Sequence, residues 1–394
     1  MDLELGSEYE AFRTEVAAFL RLAWPPKHIQ DLPSAVAQFR QAAIARGYLY
    51  RGFPKRYGGS EQPADPMRAR IIREAFGRVS APKELEGPGV SMLAPTLLGR
   101  GAEWQKERFI GPTLRGEIVW CQGYSEPGAG SDLASLKTRG VLEGDEWVVT
   151  GQKLWTTMAH RADFMFALVR TEPEAPKHSG LSYLLIDMKQ PGITVRPLKQ
   201  MTGEREFNEV FLDGVRTPKD WIVGGRGEGW DVSRTTLKHE RDTVGGATRT
   251  EAMFGRLVEL ARAAERDGDP ALQRDDVRQE LARIEAYVLA QRYSSYRQAS
   301  MELAGAAPGL IGLLNKLNGT LIGHRIANLA QDLIADAGLS MPPVSRAENR
   351  GPEKWVNQIM GSLGVAIAGG ASNIQRNVIA ERGLGLPRDA GDRA

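Results

Sequence analysis

From residue 7 to about residue 116 the apolar positions recur at helical spacing. Ser7 and Glu10 have capping-box spacing, and Phe12, Val16, Phe19 and Leu20 follow on one helix face. Further helical stretches fall over 35–46, 67–76 and 104–114, so residues 1–117 are expected to form an N-terminal helical domain. Between 118 and 227 the period shortens to β-rich runs separated by turn pairs. Residues 146–150 follow Gly144-Asp145, 164–169 are almost wholly apolar, and 181–187 precede Pro191-Gly192. Residues 193–198 and 209–212 come next, the last run ended by Asp213-Gly214. Strands this short and closely spaced predict an antiparallel barrel or sandwich. From Trp230 helices return, carried by Phe254, Leu257, Val258 and Ala261, then Leu281, Ile284 and Val288, then Leu314, Leu317 and Leu321. Pro270, Pro308 and Pro342-Pro343 punctuate this helical domain over 228–394. The expected class is therefore α+β, in the order helices, small β domain, helices. Residues 171–180, with two prolines, predict an exposed loop.

Composition narrows the function more than the fold. Apolar residues are 42% and charged residues 25% of the 394, the ordinary globular balance. The net charge of +2 is too small for the electrostatic footprint of a dedicated nucleic-acid binder. The one cysteine, Cys121, excludes an intramolecular disulfide and leaves too few ligands for a zinc or iron–sulfur cluster. It points to a reducing, cytoplasmic setting, and the acidic start Met1-Asp2-Leu3-Glu4 lacks the character of a signal or transit peptide. No apolar run reaches the roughly 18 residues of a membrane span.

Several chemistries find no support. Gly224-Gly225-Arg226-Gly227-Glu228-Gly229 fits neither the dinucleotide nor the Walker spacing and reads as a flexible turn into the next helix. The five histidines, His28, His160, His178, His239 and His324, are scattered, so a metal site is not expected. No serine sits in a nucleophile elbow. The block Ser125-Glu126-Pro127-Gly128-Ala129-Gly130-Ser131-Asp132 is different: its hydroxyls and glycine amides suit a polar ring or phosphate, although composition alone also describes a solvated turn.

Together with Gly151-Gln152-Lys153-Leu154-Trp155-Thr156-Thr157 and the run Ile374-Gln375-Arg376-Asn377-Val378-Ile379-Ala380-Glu381-Arg382, this block resembles the acyl-CoA dehydrogenase family over nearly the whole chain. The resemblance implies a flavoprotein of three domains, the last a four-helix bundle. FAD would lie between the β domain and the C-terminal helices and take a hydride from the β-carbon of an acyl-CoA thioester while a carboxylate removes the α-proton. Residues 122–131 would line the flavin, with Gln122, Tyr124, Ser125, Gly130 and Ser131 among them, Ser125 on the ring edge and Ser131 also touching the acyl-CoA. Trp155, Thr156 and Thr157 match the family's Trp-x-Thr, with the indole against the flavin and the Thr157 hydroxyl near its reactive nitrogen. Read without that motif, Trp155 is a core aromatic of the β domain.

The family's usual base is a Glu near the C-terminus, and here that position is Gly369 within Ala368-Gly369-Gly370-Ala371-Ser372-Asn373. A minority of members place the base on the first C-terminal helix, directly before an Arg, which is the position of Glu240-Arg241. Glu240 is the expected base; its alternative is a solvated charge run over 239–242. A carboxylate on either backbone position serves if its oxygens reach the same point beside the α-carbon. Burial there raises its pKa, and Arg241 opposes that. The Gly369 amide remains available to the thioester oxygen, Gly370 and Arg241 would border the substrate, and the missing side chain leaves room for a bulky acyl group. Ala371 and Asn373 replace a family Thr and Gln near the flavin. The pyrophosphate-gripping Arg-x-x-Phe-Gly run is reduced to Arg266-Asp267-Gly268-Asp269-Pro270, and the Gln-x-x-Gly-Gly run to Ile334-Ala335-Asp336-Ala337-Gly338. This pattern resembles bacterial members acting on steroid-derived or other bulky CoA esters, some built as heteromers of two unlike chains. The resemblance implies an electron-transfer flavoprotein as acceptor and a homo- or hetero-oligomer, a dimer of dimers. Two other readings stay open: a same-fold oxidase or flavin monooxygenase, and a partner chain that completes a sibling's flavin site.

Overall fold

A computed structural model describes residues 6–25, 31–244, 247–266, 268–307, 309–340, 351 and 354–387, with the backbone alone for 240–244, 299 and 302–303. The N-terminal helices are α1 (Ser7–Ala23), α2 (Leu32–Ala45), α3 (Pro66–Arg78), α4 (Ala94–Arg100) and α5 (Glu103–Arg115). Phe12, Val16 and Leu20 are buried at four-residue spacing, and Phe19 packs partly buried beside them against Phe39, ring centroids 5.6 Å apart. Each such ring or branched chain taken fully out of water stabilises by about 1.5–3 kcal/mol. Asp31 and Asp65 cap α2 and α3 through the amides of Ser34 and Arg68, each with a proline in the first turn. The Ser7–Glu10 box does not form. Gly6 is the N-cap, and Glu10 instead pairs with Arg13 one turn on, at 2.8 Å.

The β domain is one curled sheet of β1 (Trp120–Gly123), β2 (Arg139–Glu143), β3 (Glu146–Thr157), β4 (Phe164–Arg170), β5 (Leu181–Asp187), β6 (Ile193–Pro197) and β7 (Phe207–Pro218), with β5 beside β4 and the remaining order β1-β4-β2-β3-β7-β6. Four pairings are antiparallel as expected, but β1 and β2 each pair with β4 in parallel. The apolar run of β4 has a physical cause. Phe166 and Leu168 join the core shared with the N-terminal helices, while Met165, Ala167 and Val169 join the core inside the sheet, so neither face meets water. Asp213-Gly214 does not end β7 either. The pair forms an irregularity opposite residues 149–151, where the register shifts and pairing then resumes to Pro218.

Residues 224–229 are not a flexible turn. The Gly227 amide donates to Ser182 Oγ at 3.1 Å, the Gly225 amide to Glu228 Oε2 at 2.8 Å, and a Cβ at Gly229 would lie 2.5 Å from the backbone of Ser182. This close seat launches α6 (Gly229–Val244) across β5 and α4. There follow α7 (Ala247–Ala263), the two-residue strands β8 (Glu265–Arg266) and β9 (Asp269–Pro270), α8 (Asp275–Leu303), α9 (Ile311–Ile334), α10 (Lys354–Val365) and α11 (Ser372–Val378). Leu257, Ile284, Ile326, Leu333 and Trp355 make α7–α10 a four-helix bundle. On α9 the buried face is not the expected one. Leu314 and Leu321 are exposed, and Ile322, Ile326, Ala330 and Leu333 face inward. The helix is apolar on more than one side, so periodicity leaves its inner face undecided. Pro308 and Pro342-Pro343 lie outside the described residues. Among the described residues no helix is long and apolar enough to cross a membrane, and no group of three metal-ligating side chains occurs.

Candidate active site

The parallel pairing of β1 with β4, Trp120 opposite Phe164 through Gly123 opposite Ala167, sets where the Ser125 block leaves the sheet. Gln122 lies half-buried on β1. At Gly123 a Cβ would meet Met165 Sδ at 2.4 Å, so any side chain there would have to displace the Met165 thioether. Tyr124 is buried between Phe166 and Tyr183, edge-on to both rings. Glu126 and Ala129 exchange amide–carbonyl bonds of 3.0 and 3.1 Å, which folds a tight turn with Pro127 and Gly128 at its exposed tip. Gly130 and Ser131 are exposed beyond it, and Asp132 accepts from Lys177 Nζ at 2.6 Å.

Strand β3 meets this loop edge-on, where the Leu154 amide donates to the Ser125 carbonyl at 2.8 Å. Residues 154 and 155 together face a single residue of β7, because Lys153 pairs with Val210 and Thr156 with Asn208. That bulge turns Trp155 out of the sheet. Its indole is 58% exposed, and its backbone sits at φ 59°, a conformation that costs a non-glycine residue roughly 1–3 kcal/mol. Thr157 is half-buried, whereas Thr156 points inward, where its carbonyl accepts from Asn208 Nδ2 at 2.9 Å and its hydroxyl makes no hydrogen bond to any described residue. Period-two alternation thus presents Trp155 and Thr157, but not the Thr156 hydroxyl, to the outer face.

One charge pair joins the two segments. Lys153 is fully buried, and its ammonium donates to Glu126 Oε1 (2.9 Å), the Leu168 carbonyl (2.7 Å) and the Tyr124 carbonyl (3.3 Å). The Glu126 carboxylate also accepts from the Lys137 and Thr138 amides at 2.6 and 2.9 Å. Burial pulls the Lys153 ammonium down to about 8 against the opposing pull of Glu126. Burial alone would raise the Glu126 carboxyl, but the Lys153 charge and the hydrogen bonds from 137 and 138 override it and hold it below its ordinary range. The sequence pattern places Glu126 within the flavin-lining run 122–131 but gives Lys153 no role and does not pair the two. A signal was present: Trp147 and Val149 are inward-facing, and alternation puts Lys153 on that same side, where a charge requires a carboxylate partner.

Helix α6 brings the expected base to the junction of all three domains. Thr236 Oγ1 lies 3.0 Å from Thr96 Oγ1 of α4 and 3.4 Å from the Tyr183 hydroxyl of β5. Position 240 is one turn further along the face that carries Thr236. The side chains of Glu240 and Arg241 lie outside the described residues.

The C-terminal segment is built of small residues and backbone. Gly369 (φ 64°) and Gly370 (φ 99°) are successive left-handed positions, a path that side chains disfavour. The buried Lys316 of α9 donates to the Val365 carbonyl at 3.0 Å, and Ser372 and its amide bond to the Ala366 carbonyl, so the loop is pinned on the bundle. Ala371 is half-buried, and Asn373 is exposed and accepts from Arg376 at 3.2 Å. Arg266 Nη1 is engaged by Asp276 at 3.2 Å, beside a pocket of about 530 Å³ that also holds the Arg325–Glu280 pair, His324 and Asp332.

Tested against FAD, the residues present fit its ring half. An outward indole, a half-buried Ser125 and glycines whose Cβ positions at 128 and 130 meet nothing within 4 Å make an open, hydrogen-bonding ledge. The pyrophosphate half is matched less well, because no phenylalanine follows Arg266 at the expected spacing.

Comparisons with known proteins agree over the whole length. The family models described as acyl-CoA dehydrogenase N-terminal, middle and C-terminal domain match residues 6–117, 121–215 and 227–384. The chain is 39% identical over 380 residues to acyl-CoA dehydrogenase IpdE1 of Mycobacterium tuberculosis, covering 95% of this chain and 94% of that one. It is similar to a solved structure titled Tcur3481-Tcur3483 steroid ACAD, with TM-score 0.78 and 28% identity over 99% of this chain and 100% of the other. The ChsE4-ChsE5 complex from Mycobacterium tuberculosis gives TM-score 0.77 and 27% identity over 99% and 100%.

Proposed function

Because the chain belongs to the acyl-CoA dehydrogenase family, we propose that it dehydrogenates the Cα–Cβ bond of a bulky, ring-derived acyl-CoA thioester with Glu240 as the base. Membership makes it an FAD-dependent oxidoreductase acting on a CH–CH bond. Bound FAD supplies the acceptor for the β-hydride. The α-proton passes to the Glu240 carboxylate, whose backbone position on α6 lies one turn beyond Thr236, the residue that meets Tyr183 of β5. A positioned base of this kind contributes about 10²–10⁴-fold. The Gly369 amide donates to the thioester oxygen as enolate charge develops, with Gly370 and Arg241 alongside. Gln122, Tyr124, Ser125, Gly130, Ser131, Trp155, Thr156, Thr157, Ala371 and Asn373 line the flavin, Thr156 through its backbone, and Ser131 also meets the acyl-CoA. The observation that carries this reading is the outward Trp155, held on a strained bulge against the Ser125 loop instead of being buried in the β domain.

The bulky substrate is supported by the names of the steroid ACAD relatives and by the absence of a side chain at Gly369. An unlike partner chain is supported by the two-component titles of those relatives and by the missing phenylalanine after Arg266, where the family's pyrophosphate-gripping run is reduced. Division at 117/118 and 227/228, an electron-transfer flavoprotein as acceptor and a cytoplasmic setting consistent with the buried thiol of Cys121 complete the reading.

The test is anaerobic titration of the purified yellow protein with acyl-CoA thioesters. Wild type is expected to bleach, and Glu240→Gln to retain FAD while bleaching at least about 100-fold more slowly. Unchanged reduction in that variant removes Glu240 as base. A chain that is colourless alone and yellow only with an unlike sibling supports the heteromer, and peroxide formed in step with turnover replaces the dehydrogenase with an oxidase.

A further inference from the structure

The reading above leaves a fully buried, triply bonded charge of the β domain without a role. Lys153 spends all three ammonium protons on Tyr124, Glu126 and Leu168, and Glu126 gathers two more amides from 137 and 138. These contacts tie together the end of β1, β3, β4 and the approach to β2. An apolar pair of the same volume would serve stability equally well, since taking two charges out of water offsets much of their attraction. What the charged pair adds is direction. Its hydrogen bonds specify distances that an apolar contact leaves loose.

The placement of those bonds is specific. Lys153 holds the residues on both sides of Ser125, the Tyr124 carbonyl and the Glu126 carboxylate, while the next residue of β3, Leu154, donates to the Ser125 carbonyl itself. Trp155 follows directly, on the bulge that turns it outward. The ring-edge donor and the indole therefore take their separation from one ammonium. We propose that Lys153, with Glu126, is a positioning residue for the flavin, setting the Ser125 loop at a fixed distance from Trp155. This rests on the flavin assignment made above. The downward pull on the Lys153 ammonium by burial agrees with a charge held where solvent does not reach it.

The experiment uses the full chain, with its sibling if one is required, in two arms. In the first, hydrogen exchange is followed without FAD in Lys153→Met. Exchange at Leu154 and across 124–126 and 137–138 is expected to rise at least about tenfold relative to wild type, with the α7–α10 bundle unchanged. In the second, FAD is bound to the isosteric neutral double variant Glu126→Gln/Lys153→Met, which carries no unpaired buried charge and keeps the test available if the single variant does not fold. Its thermal midpoint is expected near wild type, while the FAD dissociation constant rises about tenfold and the bound flavin loses part of its quenching by the adjoining indole. Conservative Lys153→Arg, whose planar fork cannot reproduce the three directions, is expected to restore folding but not the quenching. Local exchange equal to wild type in Lys153→Met overturns the proposal. So does a double variant with wild-type FAD affinity and fluorescence, because the pair is then a structural element of the sheet alone. If no form of the wild-type protein binds FAD, the flavin assignment fails, and the exchange arm still decides whether the clamp exists.

Discussion

Two regions that the family pattern assigns to one site are built by opposite means. The β-domain region, from Tyr124 to Ser131 and from Lys153 to Thr157, is held by a fully buried ion pair, charge-assisted bonds of 2.6–2.9 Å and a strained bulge. The C-terminal region, from Gly369 to Asn373, is glycine, alanine and exposed polar residues, pinned at its root by Lys316 and Ser372. The first region fixes side-chain positions and the second presents backbone. A ring that must be met at defined edges calls for the first, and an oxyanion that needs an amide calls for the second. On the proposed reading, the loop needs no side chain at position 369, because what it offers there is a backbone amide.

The comparison breaks most readily at the buried pair. Glu126→Ala leaves the Lys153 ammonium facing two carbonyls with no carboxylate, and should cost roughly 3–5 kcal/mol in calorimetric unfolding. A loss below about 1 kcal/mol would mean that the region is not locked by charge. Gly370→Ala tests the other side. With φ at 99° and a Cβ that would fall 2.2 Å from Gln375 Nε2, it should cost about 1–2 kcal/mol in urea denaturation, and the loss should stay confined to the bundle.

Raising the pH separates the two roles of Lys153. Its ammonium deprotonates near 8 when folded and near 10.5 when unfolded, so between these values the unfolded chain holds the extra proton. Linkage then makes the lysine's contribution to global stability rise with pH through that window, and lost again as pH falls through 8. The clamp meanwhile loses a donor. Bound-flavin fluorescence should therefore increase with a midpoint near 8 without a matching fall in thermal midpoint, and the step should vanish in the Glu126→Gln/Lys153→Met double variant. A fall in both together would show that the pair only supports the sheet. The smallest effect on stability is expected at Trp155→Ala. The indole is mostly exposed, so unfolding should shift by no more than about 0.5 kcal/mol while flavin retention in gel filtration drops. A large stability loss there would return Trp155 to the ordinary core.

The sequence by itself determined the order of helices, β domain and helices, because periods of 3.6 and 2 are local properties of the chain, and it located the Ser125 block and Trp155 because their motifs are contiguous. It did not determine the parallel pairing of β1 with β4, the inner face of α9 or the seat of Gly229 on Ser182, since each depends on what packs opposite. The Ser7–Glu10 spacing permitted a cap that a competing Arg13 pairing replaced. The Glu126–Lys153 pair shows the division most clearly. Its members stand 27 residues apart, and although alternation along β3 marks Lys153 as inward-facing, nothing local identifies Glu126 as its partner. Only the tertiary structure takes both out of water, and a buried charge must then find its partner wherever the fold has placed it.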